Sequence, residues 1–192
     1  MTNSYMITCC STADLPASYL AERDIPYSCF HFRMNGMEYD DDLGKSIPIE
    51  DFYENIRQGA MPTTSQVNPE TAKEYLEKYL EECSELLVLS FSSGLSGTCG
   101  NVFTAAAEIM EERKDCRIIV VDTLCASLGE GLLVHKAVEM KKAGKSLDET
   151  AEWVEKHKLN MVHVFTVDDL FNLHRGGRVS RATAIVGTLA SI

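Results

Sequence analysis

No stretch of this chain approaches the ~18 consecutive apolar residues of a membrane-spanning helix, so no integral membrane segment is expected. Basic residues are scarce too: 18 Lys and Arg stand against 29 Asp and Glu, for a formal net charge of -11. That balance excludes nucleic acid as a partner, because neutralising phosphates requires a basic face. An acidic surface favours solubility and suits docking to a basic protein. The opening residues, Met1-Thr2-Asn3-Ser4-Tyr5, place no positive charge ahead of an apolar run, so secretion is not indicated. P-loop, G-x-G-x-x-G and metal-ligand patterns are all missing, so neither a metal nor a cofactor is expected. Seven cysteines (Cys9, Cys10, Cys29, Cys83, Cys99, Cys116 and Cys125) form no C-x-x-C pair. They read as reduced thiols of a cytoplasmic protein, several serving as small apolar core residues.

What is present is ordinary globular composition, 45% apolar and 24% charged over 192 residues. A chain of that length removes roughly 70% of its unfolded surface from water. Apolar and polar stretches alternate in a strand–helix rhythm. Strands are predicted for Tyr5 to Cys10, Leu86 to Phe91, Arg117 to Asp122 and Met161 to Val167, the last three being short continuous apolar runs. Ile25 to Met34 alternates and is rich in aromatics, and Asn35-Gly36 then supplies a hairpin turn. Helical spacing covers 49–58, 69–83, 98–113, 127–143, 147–157 and 180–189, with Pro69 opening one helix and Ser146-Leu-Asp-Glu149 capping another. Strands separated by long helices predict an α/β fold, a mostly parallel sheet with helices on both faces. The chain stops at Ala190-Ser191-Ile192 in mid-pattern, which reads as a truncation.

Three segments could carry chemistry. Leu89 to Thr98 follows a buried strand and opens a helix, and crowds Ser92, Ser93, Ser96 and Thr98 around Gly94 and Gly97. At the carboxyl end of a parallel strand, free amides, the helix dipole and uncharged hydroxyls suit a carboxylate beside an apolar cavity. The bland alternative is a helix cap, for which one hydroxyl would serve. Pro62-Thr-Thr-Ser-Gln66 reads as a polar loop between two helices and gains meaning only if the fold brings it beside Ser96. Leu173-His-Arg-Gly-Gly-Arg-Val-Ser180 places two arginines around Gly-Gly; it could bind a phosphate or acidic partner, or be a solvated loop ending a helix. A serine on a strand–helix turn also raises hydrolysis, with Asp122 and His135, His163 or His174 following in chain order. Against that, Gly94-Leu-Ser-Gly-Thr98 has threonine where the elbow needs glycine, and Gly129-Glu-Gly131 reads as a packing feature.

Ser11-Thr-Ala-Asp-Leu-Pro16, Pro62-Thr-Thr-Ser-Gln66, Ser92-Ser-Gly-Leu-Ser-Gly-Thr98, Val121-Asp-Thr123 and Arg175-Gly-Gly-Arg-Val-Ser180, in that order, resemble the DegV family. The resemblance implies a two-domain α/β protein with a lipid tunnel between the domains. It implies binding of a long-chain fatty acid, without covalent chemistry, for a separate ATP-dependent fatty acid kinase subunit that makes the acyl phosphate. Carried over by motif, Thr64 and Ser96 would hold the carboxylate, with Ser93 and the Gly97 amide as additions, and Arg175 and Arg178 would contact the kinase or the phosphate. Residues 1–174 would be the DegV-type lipid-binding domain and 175–192 the start of the connection into a missing C-terminal domain. That domain would supply more tunnel wall and a histidine near the carboxylate. Family members usually carry aspartate where this chain has Cys10. Two competing readings are an acyl hydrolase using Ser96 and a truncated regulatory paralogue without lipid.

Overall fold

In chain order the elements are β1 (Tyr5–Cys10), a 3-10 turn (Ser11–Ala13), α1 (Ala17–Ala21), β2 (Tyr27–Ser28), β3 (His31–Met34), β4 (Met37–Asp40), α2 (Ile49–Arg57) and β5 (Thr63–Ser65). There follow α3 (Pro69–Tyr79), β6 (Glu85–Ser90), α4 (Thr98–Glu112), β7 (Arg117–Asp122), α5 (Leu128–Lys142), α6 (Leu147–His157), a second 3-10 turn (Lys158–Asn160), α7 (Leu170–Arg175) and α8 (Arg181–Leu189). The computed structural model describes residues 5–167 and 170–189. Two compact units emerge, Met1–Met161 and Val162–Ile192.

The first unit is built on a four-stranded sheet in the order β2-β1-β6-β7, parallel throughout. Its strands are apolar on both faces because helices cover both. Ile7, Leu87, Leu89 and Val121 pack with Leu133 and Val134 of α5 and Val154 of α6. The alternate positions Leu86, Val88, Ile118 and Val120 pack with Leu76 of α3 and Val102 and Ile109 of α4. The α/β layout read from the sequence is the one observed. Chain direction then fixes where a ligand can sit. From β1 the chain runs through α1 to β2 on one side, whereas β6 runs through α4 to β7 on the other. The order reverses between β1 and β6, the position at which open α/β sheets hold their ligands.

Three expectations are corrected. The alternating stretch after Ile25 is two strands in two sheets: β2 joins the parallel sheet, while β3 starts a separate antiparallel one in the order β4-β3-β5. The hairpin itself is as expected, with Asn35 and Gly36 at φ 53 and 80 and Met34 opposite Met37. The loop expected over 62–66 contains β5, an edge strand whose Thr64 lies opposite Phe32. Met161 to Val167 is not a strand. An apolar run becomes a strand only where a neighbouring backbone takes its hydrogen bonds, and here Val162, Val164 and Phe165 are 86%, 93% and 78% exposed.

In the second unit, α7 and α8 pack together, with Leu170 against Gly187. The Gly-Gly pair ends α7 in a Schellman motif: Gly177 sits at φ 76, its N–H bonds His174 O, and the Arg178 N–H bonds Leu173 O. Ser180 caps α8 by accepting from the Thr183 amide. None of the helices among the described residues is long and apolar enough to cross a membrane.

Candidate functional site

The turn after β6 stands at the reversal of strand order. Ser92 is buried, and its carbonyl accepts the amides of Leu95 and Ser96 while its Oγ accepts that of Gly94. Asp122, at the end of β7, draws the Ser93 amide to its Oδ1 at 3.1 Å and holds the Leu124 amide at the same distance. The Thr98 amide is capped by Ser96 Oγ at 3.2 Å. Free amides were expected to make this turn an anion site; instead those of Gly94, Leu95, Ser96 and Thr98 are engaged inside it, and those of Ser92 and Ser93 by the Cys125 carbonyl and Asp122. The Gly97 amide is the exception among the turn's described bonds, and Gly97 opens α4 at its N-cap. The acceptor-seeking groups left are hydroxyls. Ser93 is exposed and Ser96 half-buried, and the Ser96 hydroxyl meets Thr98 Oγ1 at 3.0 Å rather than a histidine.

The polar segment containing Thr64 is drawn to the same place. Val67 is buried, its N–H donates to Thr98 Oγ1 at 3.1 Å, and its carbonyl accepts from Asn101 Nδ2 at 2.7 Å. Just before it, Gln66 lies so closely over Gly97 that a Cβ there would overlap Gln66 Oε1. Thr64 itself is exposed on the edge strand, three residues before the Val67 clamp. Two hydroxyl-bearing segments separated in sequence therefore meet at one helix N-terminus. Arg175 and Arg178 lie in the second unit, exposed; Arg175 bonds Asn172 Oδ1 and Arg178 folds back on Gly176 O.

Around this rim Leu95, Leu124 and Leu128 are 37%, 43% and 63% exposed. A cleft of about 310 Å³ lies elsewhere, between α1, β2 and α3, lined by residues such as Leu20, Ile25, Tyr27 and Tyr79. It shares no residue with either hydroxyl-bearing segment.

The matching turn after β1 holds the residue that sequence reasoning missed. Glu130 of α5 is wholly buried; its Oε1 accepts the Cys10 amide at 3.4 Å and its Oε2 accepts the Thr12 hydroxyl at 3.0 Å. Burial raises its pKa to about 8, the Thr12 and Cys10 bonds oppose the rise, and Asp14 adds to it. The Cys10 thiol is pushed up to about 12, by burial first and then by Glu130. Gly131 is indeed a packing feature, since a Cβ there would come 2.7 Å from Ala13 O. Glu130 was legible in principle: it falls on the helical stripe shared with Leu133, Val134 and Ala137, and an acid on an apolar stripe signals a buried carboxyl. Among the described residues no group of three His, Cys, Asp or Glu side chains could hold a metal ion.

The parallel sheet thus gathers two hydroxyl-bearing segments at the point where its strand order reverses, as in doubly wound α/β proteins. Residues 5–192 match the family model for uncharacterised proteins of the DegV family, and the chain belongs to that family. A DegV domain-containing protein of Clostridium perfringens is 44% identical over 182 residues, which are 95% of this chain and 62% of the relative. A Thermus thermophilus DegV family protein, described for its fatty acid binding, superposes with a TM-score of 0.82 at 34% identity, over 96% of this chain and 64% of that one. A Thermotoga maritima protein described as revealing a fatty acid binding function gives 0.69 at 33% identity, over 81% and 55%. The chain thus spans less than two thirds of the relatives it matches.

Proposed function

We propose that this protein is a cytoplasmic carrier of a long-chain fatty acid and does no covalent chemistry itself. The observation that carries the reading is the convergence of the segment bearing Thr64 with the turn bearing Ser96, through Val67–Thr98 and Gln66–Gly97. The hydroxyls of Thr64 and Ser96 hold the carboxylate, Ser93 and the Gly97 amide add donors, and Leu95, Leu124 and Leu128 receive the start of the acyl chain. Residues 1–174 form the lipid-binding domain and 175–192 lead into a second domain. Two relatives described as fatty-acid binders, each at least 33% identical, support the ligand class.

Affinity resides in the tail and orientation in the head. Each buried methylene contributes ~0.8 kcal/mol, so a long acyl chain gives on the order of 10 kcal/mol before ordering costs. A hydroxyl to a charged acceptor adds roughly 1.5–3 kcal/mol. The acid is presented to a separate ATP-dependent kinase subunit that forms the acyl phosphate, with Arg175 and Arg178 contacting the kinase or the phosphate; both are exposed cations in a chain of net charge -11. The pairing of Ser96 with Thr98, and not with a base, favours a carrier over a hydrolase. Organic extraction of the purified protein followed by mass spectrometry tests the carrier. A co-purifying long-chain acid is the expected result; an extract free of lipid, with turnover of a p-nitrophenyl ester lost in Ser96→Ala, overturns it.

A further inference from the structure

Thr98 carries an enclosed hydroxyl to which the head-group proposal gives no role. It is fully buried, yet it serves two partners: the Val67 amide donates to Thr98 Oγ1 at 3.1 Å, and Ser96 Oγ lies 3.0 Å away. Ser96 Oγ also accepts the Thr98 amide at 3.2 Å. Val67 is fixed from its other side by Asn101, one helical turn beyond Thr98 on α4. A hydroxyl has one proton and two lone pairs. With one lone pair of Thr98 taken by Val67 and one of Ser96 taken by the Thr98 amide, the direction of the Thr98–Ser96 bond decides the rest. When Thr98 donates, both lone pairs of Ser96 are filled and its own proton points out of the turn. An anion in front of Ser96 selects that direction, because Val67 N–H, Thr98 O–H and Ser96 O–H then polarise one another in sequence toward the charge.

We propose that Thr98, steadied by Asn101 through the Val67 peptide, is a positioning residue that makes the Ser96 hydroxyl a dedicated donor to the ligand's carboxylate. The proposal rests on the fatty-acid reading above and deepens it, because it makes the site prefer the free acid over its ester. An ester carbonyl is a weaker acceptor than a carboxylate and gains less from the relay. A merely structural Thr98 would affect acid and ester alike.

The test titrates the purified full chain with a long-chain acid and with the methyl ester of the same acid. Thr98→Val keeps the side chain's shape and removes Oγ1. Acid affinity is expected to fall about tenfold, with ester affinity within about twofold, and Thr98→Ser is expected to restore the acid preference. Asn101→Ala, which frees the Val67 carbonyl, should lower the acid preference by about threefold. An unchanged acid-to-ester ratio in folded Thr98→Val overturns the relay. Should the valine variant not fold, the same result in Asn101→Ala overturns it. Thr64→Ala combined with Ser96→Ala separates the two levels. If that double variant binds acid like the parent, the head-group reading has failed; if it loses the acid while Thr98→Val keeps it, only the relay has.

Discussion

Two turns flank the point where strand order reverses, and the fold treats them oppositely. After β1, the Ser11–Ala13 turn is sealed: Ser11 and Ala13 are buried, Ser11 Oγ accepts the Phe30 amide, and Glu130 reaches up from α5 to take the Cys10 amide and the Thr12 hydroxyl. After β6, the turn leaves Ser93 exposed and Ser96 half-buried. Both turns are rich in hydroxyls, so composition does not separate them. The separation comes from what lies beneath. Where a helix supplies a buried acceptor, the hydroxyls are consumed as structure; where the neighbouring element is itself a helix N-terminus, Ser92 and Thr98 are buried but Ser93 and Ser96 keep solvent-facing surface.

The sharpest way to break this contrast is to titrate the sealed turn. Burial in the fold raises the Glu130 pKa to about 8 from its ordinary 4.5. The folded state therefore keeps a proton that the unfolded chain has released, and unfolding releases it at every pH between those two values. Stability from this group is complete below about 4.5 and declines as pH rises toward 8, at up to about 1.4 kcal/mol per pH unit. Urea unfolding of the parent and of Glu130→Gln, from pH 5 to pH 8, should show the parent losing about 3 kcal/mol more than the variant over that span. Slope is the readout, because glutamine adds a buried N–H whose own cost shifts absolute stability. Parallel slopes would mean the carboxyl is ionised or hydrated, and the turn after β1 is then no more sealed than its counterpart.

A smaller effect probes the same seal sterically. Gly131 brings α5 against the Ala13 carbonyl, and a methyl group there would stand 2.7 Å from that oxygen. Backbone cannot rotate aside, so Gly131→Ala is expected to cost about 1–3 kcal/mol in denaturant unfolding. A neutral outcome would show that the 3-10 turn shifts freely on its helix.

How much of this was readable beforehand follows from range. Three of the four predicted strands (Tyr5–Cys10, Glu85–Ser90 and Arg117–Asp122), the capping box at Ser146 and Glu149, and the Asn35-Gly36 turn are written in local periodicity and turn chemistry, and these are observed. Signals failed where a neighbour decides. β2 and β3 read as one alternating stretch, yet Cys9 pairs with Tyr27 and Thr64 with Phe32, so two different sheets claim it. Met161 to Val167 has the composition of a strand but stands in neither sheet. At the site, the hydroxyls of 92–98 were legible as a cluster, whereas the loss of its free amides was not: four turn back onto Ser92 and Ser96, and the Ser93 amide is taken by Asp122 arriving from β7. Glu130 had a local signal, an acid on an apolar stripe, that was overlooked beside two glycines.

The smallest expected effect completes the comparison. Gly97 is also crowded, but the atom in the way is Gln66 Oε1, the far end of a flexible side chain. Its backbone, at φ -70 and ψ -6, is one that alanine adopts readily. Gly97→Ala stiffens the unfolded chain, a gain of about 0.4–1 kcal/mol, and displaces Gln66, a loss of similar size. Unfolding free energy should stay within about 0.5 kcal/mol of the parent. Identical substitutions thus test the two turns against each other: a methyl group facing a carbonyl is costly, and one facing a movable amide is not. If Gly97→Ala destabilises as much as Gly131→Ala, Gln66 is locked in place and the turn after β6 is as tightly built as the turn after β1. The availability of its hydroxyls would then need another explanation.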